Sequence, residues 1–190
     1  SPSLPAFIAP LWAGVARRLA VLPNYGGDSY RRAAGLLTHG EPHVAGRLLL
    51  DTEWRLLATL DIHPERSDKE AWPAPDAHAA VQMLLAENTA SLVGLGASAG
   101  NKLKELGEAR LLQLAQRILD RTTVTLVLVG GPSDHELAAK VAAALPPGRV
   151  VDATGRFDLA ALPALLQRLD VYVGVDSGIT YLAEAAGVAV

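Results

Sequence analysis

From Ser91 to its end the chain repeats one pattern: an apolar run rich in Val and Leu, a turn bearing glycine or a carboxylate, then apolar residues at helical spacing. The runs are Ser91 to Leu95, Thr123 to Val129, Val150 to Asp152, Val171 to Val175 and Val188 to Val190. The helical stretches fall at about Glu108 to Asp120, Asp134 to Ala144, Asp158 to Arg168 and Gly178 to Ala186. Strands apolar on both faces must be covered on both faces, so the alternation predicts a parallel sheet with right-handed crossover helices on either side. Pro163 predicts an irregular first turn in the third helix. In such sheets ligands bind beyond the carboxyl ends of the strands. The Gly-rich and polar residues of this half fall there.

Ahead of Ser91 the pattern is weaker. Pro5 to Leu19 reads as an apolar helix, Leu19 to Leu22 as a short strand, His43 to Leu60 as a long amphipathic helix, and Ala77 to Glu87 as another helix. Asp61 to Pro75, with three prolines and mixed charges, reads as a linker. Few strands are legible to cover these helices, and the last apolar run stops at Val190, so the expectation is a chain trimmed at both ends. It divides into residues 1–74, part of a preceding α/β domain with its linker, and 75–190, a Rossmann-like parallel sheet domain.

Half of the 190 residues are hydrophobic, ample for a core. Net charge is −3 with no basic run, so no nucleic-acid partner is expected and anions must be met locally. The chain has no Cys, which excludes a disulfide framework and thiolate chemistry. No apolar run approaches the ~20 residues of a membrane span. His39 and His43 are four apart, but Gly40 and Pro42 between them argue against a helix, so the spacing is no ligand pair. Neither metal nor cofactor is expected.

Four junctions at strand ends carry candidate chemistry. Gly94-Leu-Gly96-Ala-Ser-Ala99 has the G-x-G-x-x-A spacing of a dinucleotide fingerprint. A nicotinamide site also needs a helix at once and an acid closing the next strand. Gly107 interrupts the first, and Asp120 stands before its strand, so an NAD-dependent oxidoreductase is the least supported alternative. The same loop offers Ser98 and, four residues on, Lys102, a hydroxyl and an ammonium converging on one diphosphate, or else a solvated loop lysine. After the second strand, Gly130 and Gly131 permit close backbone approach, and Asp134 either accepts from ribose hydroxyls or caps the next helix. After the third, Phe157 is either a stacking face for a purine or a core residue. Asp176-Ser177-Gly178 opens the last helix, whose unpaired amides and positive dipole end suit phosphate. The alternative is a plain cap from Asp176 or Ser177. Thr180 and Tyr181, in that helix's first turn, complete the candidate contacts.

Taken in order, these motifs resemble glycosyltransferase family 9, the heptosyltransferases of lipopolysaccharide assembly. The family's second domain carries Gly-Ala-Ser/Thr with a following Lys, then Gly-Gly-Pro with an acid, then a Gly-Lys-x-Ser-Leu-like turn, then Asp-Ser/Thr-Gly before an Ala-rich helix. Ser98 and Lys102 match the phosphate-binding pair and Asp134 the ribose acid. Phe157 matches the residue against adenine, and Asp176, Ser177 and Gly178 the loop holding diphosphate and sugar. His43 to Leu60 also looks like the family's helix before its interdomain linker. Two departures stand out: Leu103-Lys104-Glu105 replaces the family's Trp-Pro, and Tyr181 replaces the histidine after Asp-Ser-Gly. Both bear on the sugar side, so heptose is not insisted on.

The resemblance implies a two-domain GT-B fold, with the nucleotide-sugar donor on the second domain. The implied reaction moves a sugar, heptose in the family, from a nucleotide-diphosphate donor to a lipid-linked, lipopolysaccharide-type glycan acceptor, with inversion and without metal. An ADP-sugar is the favoured donor. Lys102 and Asp176 are the expected catalytic residues, with Lys102 and the amides of Ser177 and Gly178 receiving charge on the departing diphosphate. The substrate contacts are then Ser98, Lys102, Gly131, Asp134, Phe157, Asp176, Ser177, Gly178, Thr180 and Tyr181. The base belongs to the first domain, ahead of Ser1, so this piece alone is expected to be inactive. The implied location is cytoplasmic, with peripheral contact at the inner membrane. A non-catalytic nucleotide-binding module is the competing reading.

Overall fold

The computed structural model describes residues 4–22, 27–65, 69–86, 90–96, 99 and 101–190. The chain divides into two compact units, Ser1–Ser67 and Asp68–Val190.

The first unit holds α1 (Leu4–Trp12), β1 (Leu19–Leu22), α2 (Asp28–Ala34), β2 (His39–Pro42) and α3 (Leu49–Ala58). β1 pairs with β2 in parallel, Leu19 beside His39 and Leu22 beside Pro42. β2, His-Gly-Glu-Pro, has no strand signature. It forms because Gly40 leaves room for Leu22, whose Cδ1 would lie 2.6 Å from a Cβ there. The expected helix from His43 begins only at Leu49, since Gly46 turns the chain at φ +83°. α2 was not legible at all.

The second unit is a four-stranded parallel sheet in the order β5-β4-β3-β6, built from β3 (Leu92–Gly96), β4 (Thr125–Val129), β5 (Val150–Asp152) and β6 (Val171–Val173). α4 (Ala77–Leu85), α5 (Glu108–Arg121), α6 (His135–Ala143), α7 (Leu162–Leu166) and α8 (Gly178–Ala185) complete it. β4 is buried along its whole length, as an apolar central strand requires. Its alternate residues feed two cores. Val127 and Val129 join Val81, Leu85, Leu165, Leu166, Tyr172 and Ala183 on one face, and Leu126 and Leu128 join Leu95, Leu111, Ala115 and Val141 on the other. The last apolar run contributes one parallel bridge, Ala189 to Val171. α7 is shorter than its apolar pattern, because Asp158 Oδ1 accepts from the amides of Ala160 and Ala161 and Pro163 then starts the helix late.

One aromatic ring organises the join between β3 and β6. Tyr172 pairs in register with Gly94. A Cβ at Gly94 would lie 2.9 Å from the Tyr172 ring, one at Gly174 2.6 Å from it, and one at Gly96 would strike its hydroxyl. The Gly94-x-Gly96 spacing is thus a bed for a tyrosine and needs no dinucleotide to explain it. Gly96→Ala should therefore destabilise the protein by roughly 1–3 kcal/mol through overpacking. Urea unfolding of variant and parent measures this, and equal midpoints would show that the ring can move aside.

Candidate functional site

Strand order reverses between β3 and β6, and the loops beyond their carboxyl ends form the crevice where such sheets bind ligands. A cavity of about 580 Å³ opens there, lined by Gly131, Asp134, Ser177, Gly178 and Tyr181 together with Ala99, Leu159, Glu70 and Ala71. The segment leading into α4 supplies one wall, held on α8 by the Ala71 amide donating to the Ala185 carbonyl at 2.9 Å.

The start of α8 carries no side-chain cap among the described residues, although Ser177 stands at the N-cap in extended conformation. Instead Ser177 Oγ lies 3.2 Å from Thr180 Oγ1, and Thr180 Oγ1 donates to the Val175 carbonyl at 2.5 Å. Asp176 turns outward, where Oδ2 accepts from Lys104 Nζ at 2.5 Å and Oδ1 from the Tyr181 hydroxyl at 3.1 Å. The plain-cap alternative for Asp176 and Ser177 does not hold. Ser177, Gly178 and Ile179, which open α8, line the cavity at the positive end of the helix dipole.

The loop after β4 is clamped by Asp134, whose Oδ2 accepts from the Gly131 amide at 2.7 Å. Glycine at 130 is required by that clamp, since a Cβ there would lie 2.5 Å from Asp134 Oδ2. Gly131 is different: a Cβ would meet nothing nearer than 3.8 Å, so the protein itself does not demand glycine there. The Gly155 amide donates to the Gly130 carbonyl at 3.0 Å and ties the loop after β5 to the same edge.

The family model for glycosyltransferase family 9 (heptosyltransferase) matches residues 19–190. The chain belongs to this family. E. coli ADP-heptose LPS heptosyltransferase II superposes with a TM-score of 0.72 at 19% identity, over 98% of this chain and 58% of that one. A family 9 glycosyl transferase from Veillonella parvula DSM 2008 gives 0.69 at 17% identity, over 98% of this chain and 61% of that one. An E. coli heptosyltransferase solved with ADP gives 0.60 at 16% identity, over 83% and 47%. The chain thus spans less than two thirds of each. Its α/β fold with parallel sheets is of the GT-B heptosyltransferase type. Among curated protein sequences nothing matches.

Against the family pattern, two residues stand elsewhere than expected. Lys102 sits exposed in a single 3-10 turn whose N-cap, Asn101, accepts from the Leu103 amide at 3.0 Å. That turn directs Lys104, at the family's Trp-Pro position, to Asp176. Phe157 is half-buried against the core, and Leu159, 78% exposed, lines the cavity in its stead. Ser98 lies outside the described residues. Tyr181 keeps a hydrogen bond to Asp176, with Lys69 Nζ 5.3 Å from its ring centre and 2.6 Å from Glu184 Oε2. Sequence reasoning missed Lys69, Leu159 and Lys104, although a Lys-x-Lys pair in a turn was a signal that either lysine could reach the site. Among the described residues no group of three or more His, Asp or Glu could hold a metal ion.

The hydrogen bond from Lys104, then that from Tyr181, holds the Asp176 carboxyl below its usual range, and the same contact with Asp176 raises Lys104. A depressed carboxyl helps stability only above its ordinary pKa, and that help is lost as pH falls through the lowered value. The pair is solvent-exposed, so its role is local. Lys104→Ala should let the Asp176 carboxyl rise back toward its ordinary range and leave the melting temperature unchanged. Carboxyl-carbon NMR titration reads this directly, and an unmoved Asp176 would show that the pair does not persist in solution.

Proposed function

We propose that residues 75–190 hold a nucleotide-diphosphate sugar, an ADP-sugar in the first instance, and that residues 1–74 belong to the acceptor side and its linker. In the whole protein the reaction is transfer of that sugar, heptose in the family, to a lipid-linked, lipopolysaccharide-type glycan, with inversion and without metal. The observation carrying this reading is the uncapped start of α8, opening into the cavity with Lys104 beside it. Diphosphate is the fitting guest, because it accepts from successive amides and is neutralised by an ammonium. As the anomeric bond breaks, negative charge grows on the departing diphosphate, and these donors are preplaced to receive it. Asp134 lies where ribose hydroxyls would fall, beyond the end of β4, two strands over from β6. Neighbours of this fold have been solved with ADP and with an ADP-2-deoxy-2-fluoro heptose, which favours adenine as the base. No described helix is long and apolar enough to cross a membrane. We place the work in the cytoplasm, with peripheral contact at the cytoplasmic face of the inner membrane.

Calorimetry of ADP, UDP, GDP and NAD into the intact chain should rank ADP tightest and NAD weakest. Lys104→Ala should lower ADP affinity roughly 10- to 100-fold, the range of a charge-assisted contact, and more than Lys102→Ala does. Gly131→Ala should fold like the parent and still bind ADP poorly, since its methyl would occupy ligand space alone. NAD binding tightest would overturn the reading. So would ADP affinity unmoved by both Lys104→Ala and Gly131→Ala.

Turnover by the full-length enzyme should persist in excess chelator, because lysine and helix amides can supply the positive charge that a divalent ion would otherwise bring. A rate lost to EDTA and restored by Mg²⁺ would sink the metal-free mechanism.

A further inference from the structure

Tyr172 carries a proton with nowhere to go. Its side chain is 1% exposed, and its hydroxyl has no hydrogen-bond partner among the described residues. The ring lies along Gly94, Gly96 and Gly174, so its tip reaches the carboxyl ends of β3 and β6, beneath the loop that starts α8. Burial pushes the phenol up to about 12, and the hydroxyls of Thr180 and Ser177, which face it, pull the other way. The group is therefore a neutral donor at any working pH.

The three hydroxyls can be counted. Thr180 spends its proton on the Val175 carbonyl, so of the pair Ser177 and Thr180 it is Ser177 that donates, into Thr180 Oγ1. Ser177 Oγ keeps lone pairs for an incoming donor. In the free protein these two hydroxyls are satisfied without Tyr172, whose own hydroxyl faces them but makes no hydrogen bond to either.

We infer that Tyr172 is a buried positioning residue of the donor site: when a diphosphate at the start of α8 draws the Ser177 proton outward, the Tyr172 hydroxyl donates to Ser177 Oγ. The inference rests on the reading of that site given above. Ligand binding then pairs a donor that the free protein leaves unpaired. The cost of the unpaired phenol falls on the free state alone.

Tyr172→Phe keeps the ring on its glycine bed and removes only the hydroxyl. In the intact chain the free variant should melt at the same temperature as the parent or higher, while its Kd for ADP rises roughly 3- to 10-fold, the worth of one neutral hydrogen bond. The loss should vanish in a Ser177→Ala background, because the effect runs through Ser177. A Kd within twofold of the parent would overturn the inference. So would a loss that persists in Ser177→Ala, or a lower melting temperature of the free variant, which would assign Tyr172 to packing. Should Tyr172→Phe fail to fold, Ser177→Ala alone decides: ADP affinity equal to the parent's removes the relay. A parent that binds no ADP at all would bring down the site reading and this inference with it. A parent that binds while both variants match it brings down the inference only.

Discussion

The pairing of β3 with β6 is the contact on which the site depends, because these strands leave the sheet's midline in opposite topological directions and their ends define the crevice. That pairing is made around a large ring, Tyr172, lying where three glycines give it room. The arrangement solves two problems together. The ring fills the space above Gly94 and Gly96, restoring apolar burial that glycine strands forgo, and the absence of Cβ atoms keeps the strand ends open to a ligand. Asp170 adds a polar tie at the other end of the same pair, its Oδ2 accepting from the Leu92 amide at 2.8 Å.

Electrostatics follow from the same geometry. With a net charge of −3 the molecule has no general field to draw in an anion. Positive potential must be assembled at one place, from oriented amides and a single ammonium. Asp176 sharpens that assembly: it holds Lys104 at the mouth of the crevice by an exposed ion pair weak enough to open. Tyr181 holds the second carboxylate oxygen, so the lysine is presented from one side.

The core of the second unit was legible because continuous apolar runs and helical spacing are direct consequences of two-sided burial. Strands at 150–152 and helices at 108 and 178 begin where their patterns begin. The first unit was less so. β2 consists of residues with poor strand propensity and exists through tertiary pairing with β1, a non-local contact that no window of sequence contains. The start of α3 was misjudged because a periodic pattern ran through Gly46, whose φ of +83° ends it. At the site the same distinction applies. Gly131, Asp134, Ser177, Gly178 and Tyr181 converge on one cavity because their positions follow from strand ends. Lys102 and Phe157 depended on how an irregular loop turns. There a displacement of two residues puts Lys104, not Lys102, against Asp176, and Leu159, not Phe157, on the cavity wall.

The residues that best satisfy local rules are also those that decline to obey them here. Ser177 is a favoured N-cap and does not cap, and Asp134 precedes α6 yet reaches back to the Gly131 amide. Ser177 forgoes a capping hydrogen bond worth about 1 kcal/mol, whereas Asp134 spends its carboxylate on the loop before it. The groups left available at that helix start, the first amides of α8, are those an anion would engage in the reading proposed above. A fold selected only for stability would have closed the start of α8. The open start of α8, over a phenol that also lacks a partner, concentrates unmet hydrogen-bonding capacity in one crevice, and a polar ligand is what would satisfy it.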